Sequence, residues 1–236
     1  MAIALVQSNI VNESAGDGSV DATWSSTTTA GNLLIAVVSA SRSGTVGIPA
    51  ITAPAGWTQA VTQTCDSVSG VDRRTSIYYK ANASAESGAK TWACDTFMGV
   101  ASLGVVMAEY SGIATSTPLD QTSGAADTST AATTCGCGTT STTTQADELA
   151  IAAYQGGSAL GSPSSSFTIQ NQTGGANFIA LAHKILSATG TVTTSATYST
   201  GSSNAGAIAT FKAAAGGGGF QAAWARNVNT VITGVV

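Results

Sequence analysis

Acid–base chemistry needs a group that changes charge near neutral pH, and the chain offers one histidine, His183. It sits in FIALAHKIL among apolar residues, where a hydrogen-bonded structural side chain is the commoner use. Glycoside hydrolysis needs two carboxyl groups about 5–9 Å apart, and twelve acids are available. Glu109 stands out in the apolar run VVMAEYSG, whereas Asp147 and Glu148 open a strand, a place where acids commonly face water. No second acid occupies a matching inward position, so a structural reading prevails. Asp17, Asp21, Asp66, Asp72 and Asp95 read as loop acids whose oxygens suit calcium, but no DxDxDG spacing supports a site.

The four cysteines are Cys65, Cys94, Cys135 and Cys137. The CGC spacing is too short for a zinc knuckle, so no metal is expected. In a strand Cys135 and Cys137 share a face, and bonding to each other across one Gly would be strained. The even count suits two cross-links; buried free thiols are the alternative. No GxSxG elbow, HExxH helix, P-loop or dinucleotide fingerprint is present. Neither a cofactor nor an enzymatic activity is expected. Trp24, Trp57 and Trp92 fall at strand-like positions and suit core packing, while Trp224 suits a protein contact.

These residues belong to a chain of 236 with a net charge of −4 and only 8% charged residues, against about 25% in ordinary globular proteins. More than half of it is Ala, Thr, Ser or Gly. Eight cations cannot neutralise a run of phosphates, which excludes nucleic-acid binding through a basic patch. A hydrophobic fraction of 43% is enough for a core. No apolar stretch of about 18 residues exists, so no membrane span is expected, and the opening residues lack the basic region of a signal peptide.

Short strand patterns separated by Gly, Pro, Asn and Ser predict an all-β chain. Strands are expected at Ile3–Val11, Leu33–Ala40, Trp57–Thr64, Thr75–Lys80, Lys90–Cys94, Leu103–Tyr110, Leu149–Tyr154, Phe167–Asn171, Phe178–Ile185, Val192–Tyr198 and Ala207–Phe211. An internal repeat organises them. TTTAGNLLIAV (27–37) aligns with TTTQADELAIA (142–152), and Arg74–Gly112 parallels Phe178–Ala213. The expected fold is a jelly-roll-like β-sandwich over 1–215, built from two quasi-repeated Greek-key halves, about 27–112 and 142–213. Segment 120–144, rich in Thr, suits strands or an extended loop.

A four-glycine hinge at 216–219 introduces a C-terminal arm ending at 236. Its Phe220, Trp224, Val228, Val231 and Ile232, with Arg226, are large side chains beyond a domain that has completed its core. They are the expected partner-binding residues, either folding back or docking on a neighbouring subunit by adding a strand to an edge.

The strand NLLIAVV, the turn PAGWT, the strand end YYK and the strand end EYSG resemble a β-sandwich module of tailed-bacteriophage virion proteins, over about 27–212. The closing GFQAAWARNVNTVITGV is similar to short tails of phage structural proteins. The resemblance implies a bacteriophage virion structural protein of the capsid decoration or cement type, attached to major capsid or tail proteins through its terminal segments. It implies a homo-oligomer assembled in the host cytoplasm and later extracellular in the virion. The second reading is a tail or head fibre or spike module binding host surface glycans through Trp, Tyr and loop amides.

Overall fold

The computed structural model of the chain describes residues 2–13, 18–43, 47–67, 70–95, 101–173 and 178–215. These residues form an all-β structure with no helix, and its sheets stay open in the manner of a β-sandwich. The first half supplies β1 (Ala4–Glu13), β2 (Ser19–Thr23), β3 (Leu33–Ser43), β4 (Ile51–Thr52), β5 (Thr58–Cys65), β6 (Val71–Lys80), β7 (Ala89–Cys94) and β8 (Ala101–Ser111). The second supplies β9 (Leu119–Asp127), β10 (Thr134–Thr139), β11 (Glu148–Gly156), β12 (Thr168–Gln172), β13 (Phe178–Ile185), β14 (Thr193–Thr197) and β15 (Asn204–Lys212). Every strand expected from the sequence is present. The patterns of β2, β4, β9 and β10 were too short or too rich in Thr, Gly and Ala to be read individually.

The repeat is topological as well as sequential. One five-stranded sheet has the order β1-β8-β3-β6-β5, and the other, read from the equivalent edge, β9-β15-β11-β13-β12. Each carries a small outer sheet, β2-β7-β4 on the first and β10-β14 on the second. The sandwich therefore has four layers, with the five-stranded sheets back to back in the middle. Each half includes its own edge strand, β1 or β9, upstream of the repeat visible in the sequence.

Burial on both faces explains the central strands. β3 is buried from Leu33 to Arg42 and β11 along its whole length, so both read as nearly continuous runs instead of alternating ones. Leu33, Ile35 and Val37 meet Leu149, Ile151 and Ala153 in the core between the large sheets. Their alternate neighbours Leu34, Ala36 and Val38 pack under the first outer sheet with Trp92, and Ala150, Ala152 and Tyr154 pack under the second.

Register corrects the sequence alignment by one position. Leu33 pairs with Tyr110 and Leu149 pairs with Phe211, so Leu33 corresponds to Leu149. The flanking Thr28 and Thr143 correspond as the sequence suggests. Thr28 N–H donates to Glu86 O and Thr28 Oγ1 accepts from Glu86 N–H; Thr143 makes the same reciprocal pair with Gly190. Between these anchors the second turn, Gln145-Ala146-Asp147-Glu148, is one residue longer than Ala30-Gly31-Asn32. Gly31 and Asp147 both take positive φ at the next-to-last turn position, 88° and 57°, leaving Asn32 and Glu148 equivalent. A one-residue shift changes the face to which a strand residue points.

Candidate functional site

Glu109 is fully buried on β8 and its carboxylate accepts from three donors on two segments. Oε1 accepts from Thr29 N–H at 2.7 Å and Asn32 Nδ2 at 2.6 Å, and Oε2 accepts from Gln7 Nε2 at 2.7 Å. Gln7 also ties β1 to Ser26 through Ser26 N–H and Ser26 O. The acid that looked out of place in an apolar strand thus binds the edge strand and the Thr-rich turn to the sheet.

The equivalent place in the second half holds two carboxyl groups. Thr210 stands where Glu109 does, and Glu148 stands where Asn32 does. Asp120, from the bulged start of β9, reaches in to accept from Thr144 N–H and Thr144 Oγ1, each at 2.7 Å. Glu148 is fully buried, and the expectation that it faces water is corrected. The longer turn leaves Asp147 exposed and places Glu148 on the inward pleat. Neither Glu148 oxygen makes a well-aligned hydrogen bond, although the Thr210 hydroxyl and the Asp120 carboxyl lie close enough to affect its charge. Burial, with the neighbouring Asp120 charge, pushes Glu148 up to about 7. Burial also acts upward on Asp120, but the Thr144 donors outweigh it and hold Asp120 below the usual range.

His183 lies on β13 facing the seam between the large sheets. Its Nδ1 is 3.0 Å from Tyr110 Oη on β8, with the rings 5.6 Å apart. The same pair recurs across the pseudo-dyad as Tyr79 on β6 against Phe211 on β15, at 5.5 Å. Burial lowers the His183 pKa and favours the neutral ring. At the other end of the seam, Thr75 Oγ1 donates to Gln155 Oε1 at 2.9 Å, Gln155 Nε2 donates to Ala40 O at 3.1 Å, and Arg73 Nη1 donates to Gly156 O at 3.2 Å. These cross-sheet bonds were not legible in the sequence, because nothing local marks Thr75, Arg73 or Gln155 as partners.

All four cysteines are buried free thiols, which corrects the reading of two disulfide cross-links. The layering separates Cys94 from Cys135 and Cys137. Cys94 lies in the first outer core, Cys135 and Cys137 in the second, and Cys65 at the end of β5. Cys65 Sγ donates to Asp127 O at 3.3 Å and Cys137 Sγ to Ala153 O at 3.5 Å. Burial raises the pKa of each thiol, Cys135 to about 11, which disfavours the reactive thiolate. The predicted shared face of Cys135 and Cys137 is observed.

Trp24 and Trp92 are buried, and half-buried Trp57 packs on Trp92 with centroids 5.3 Å apart. Of the supposed loop acids, Asp21 lies in β2 and accepts from Thr91 Oγ1, and Asp72 is buried in β6 accepting from Ser67 N–H. Asp95 pairs with Arg42 and Asp66 follows β5, while Asp17 lies outside the described residues. Among the described residues no three His, Cys, Asp or Glu side chains gather as metal ligands. A shallow surface hollow lined by Leu160, Pro163, Phe167 and Ile169 brings no ionisable group together. The arm residues Phe220, Trp224, Arg226, Val228, Val231 and Ile232 lie outside the described residues.

Comparisons with protein-family models, with curated proteins and with solved structures return no match.

Proposed function

We propose that the chain is a non-enzymatic bacteriophage virion structural protein, of the capsid decoration or cement type, held to neighbouring subunits by its terminal segments. The observation that carries this reading is where the chemically capable side chains are used. Glu109, His183 and the four cysteines are consumed by internal bonds and packing. The same side chains that would serve a catalyst tie edge strands, turns and sheets together.

The outside supports the reading in a second way. Only 8% of residues are charged, so electrostatic repulsion between copies is weak and close lattice packing costs little. Burial of apolar arm residues at about 25 cal/mol per Å², repeated over many copies, would stabilise a shell. Trp24, Trp57 and Trp92 are occupied by packing, so the glycan-binding alternative would have to rest on other groups.

The test is co-sedimentation of the purified chain with empty phage heads. The full chain is expected to pellet with heads, and removal of Phe220–Val236 to reduce binding at least tenfold while leaving the folded sandwich intact. A full chain that stays in the supernatant and instead binds host cells or glycans would favour the fibre reading. Release of reducing sugar would overturn both.

A further inference from the structure

We infer that Asp120 and Glu148 share one proton, with Glu148 the donor and Asp120 the acceptor, making a proton-binding clasp between β9 and β11. The two halves differ at this equivalent place. In the first half a single carboxylate, Glu109, receives Thr29 N–H and the Asn32 amide. In the second half Asp120 receives the equivalent Thr144 N–H. The position of the donating Asn32 amide is held by Glu148, which can donate only as a neutral acid.

Burial gives the exchange its consequence. Glu148 is fully enclosed, and burial together with the neighbouring Asp120 carboxyl outweighs the Thr210 hydroxyl and the Gln145 N–H, which act to lower its pKa, so a second negative charge there is poorly compensated. Lys212 on β15 pairs in register with Glu148, and its charge acts on Asp120. Lys184 on β13 lies beside Ala150 but donates to Ser165 O. Asp147 in the turn is exposed and adds a negative charge. Two neutral donors also face the clasp: the Gln145 N–H acts on Glu148, and the Thr210 hydroxyl, which accepts from Gln121 N–H, has its proton free for Glu148.

The sign follows from linkage. Glu148 titrates higher in the folded than in the unfolded chain, so its contribution is complete below about 4.5 and is lost as pH rises towards about 7. Asp120 acts oppositely and fails only below the ordinary carboxylate range. The clasp is therefore closed in mild acid and weakened above neutrality, loosening the start of β9 and the Thr144 turn. His183 contributes the reverse slope, losing stability as pH falls below about 6.5. Global stability alone would mix the two, so the readout must be local.

Carboxyl carbon NMR on the full chain, with amide exchange measured at Thr144 and Gln121, provides that readout. Glu148 is expected to titrate near 7 and Asp120 below its ordinary value. Amide opening should accelerate about tenfold or more between pH 5.5 and 8.5, roughly the fold-change of a one-unit or larger shift. Glu148→Gln supplies a permanent donor and should abolish that acceleration. Should this variant not fold, Asp120→Asn should move the Glu148 midpoint down by about one unit or more as the like charge disappears. Titration of Glu148 near 4.5, unchanged pH dependence in E148Q, or an unchanged midpoint in D120N would overturn the clasp. A midpoint that drops on adding calcium would also overturn it, by assigning the two carboxylates to a cation instead.

Discussion

An acid buried in an apolar strand is a choice between cost and connection, and Glu109 shows how the balance is struck. Desolvating a carboxylate is expensive unless donors replace water. Gln7, Thr29 and Asn32 supply three of them from the edge strand and the turn. Glu109→Ala is expected to destabilise the fold by about 3 kcal/mol in urea unfolding, because those donors would be buried unpaired. Glu109→Gln should cost less, since one oxygen is kept. Equal losses in the two variants would show that the donors find other partners. Lys80 and Lys90 treat Glu86 similarly: burial pushes its carboxyl up, but their charges hold it below the usual range. Its stabilisation is accordingly present above the ordinary Glu pKa and lost as pH falls. The partners of Glu109, unlike those of Glu86, are not sequence neighbours. Gln7 and Glu109 are 102 positions apart.

At the scale of elements, the strands were legible because their patterns are local, whereas their covers were not. β3 and β11 announce themselves as apolar runs, and the Thr-Thr-Thr turns before them are recognisable twice. β10 hides in TCGCGT, since its small residues let it lie close to β15. A Cβ on Gly206 would run into Gly136 O and sit 3.0 Å from Cys135 Sγ, whereas a Cβ on Gly136 would meet nothing within 4 Å. Gly206→Ala is therefore expected to destabilise by about 2 kcal/mol or more through overpacking. Gly136→Ala should stay within about 0.5 kcal/mol of the parent. Thermal unfolding of the two variants reads the difference, and equal midpoints would mean that β10 does not press on β15 as described. The one-residue length difference between the turns also belongs to this scale. It was invisible as a fault in the alignment, yet it decides that Glu148 points inward.

For the whole molecule, the pseudo-dyad makes one seam answer to both halves. The Tyr110–His183 and Tyr79–Phe211 pairs are related positions, while Thr75, Gln155 and Ala40 add bonds that break the symmetry and fix how the sheets meet. A Thr75→Val and Gln155→Leu double-mutant cycle is expected to show coupling of about 1 kcal/mol or more. Each single change strands a buried partner and the pair removes both. Strict additivity would remove the seam's claim to specificity. By itself the sequence determined the all-β class, the positions of the longer strands and the twofold repeat, because alternation, turn residues and spacing act over short stretches of chain. Only the tertiary structure decided that the repeats form four layers, that the thiols are buried and free, and that Asp120 meets Glu148. Those outcomes depend on which faces are covered and in what register, and a pleated strand carries no local record of the neighbour that will cover it.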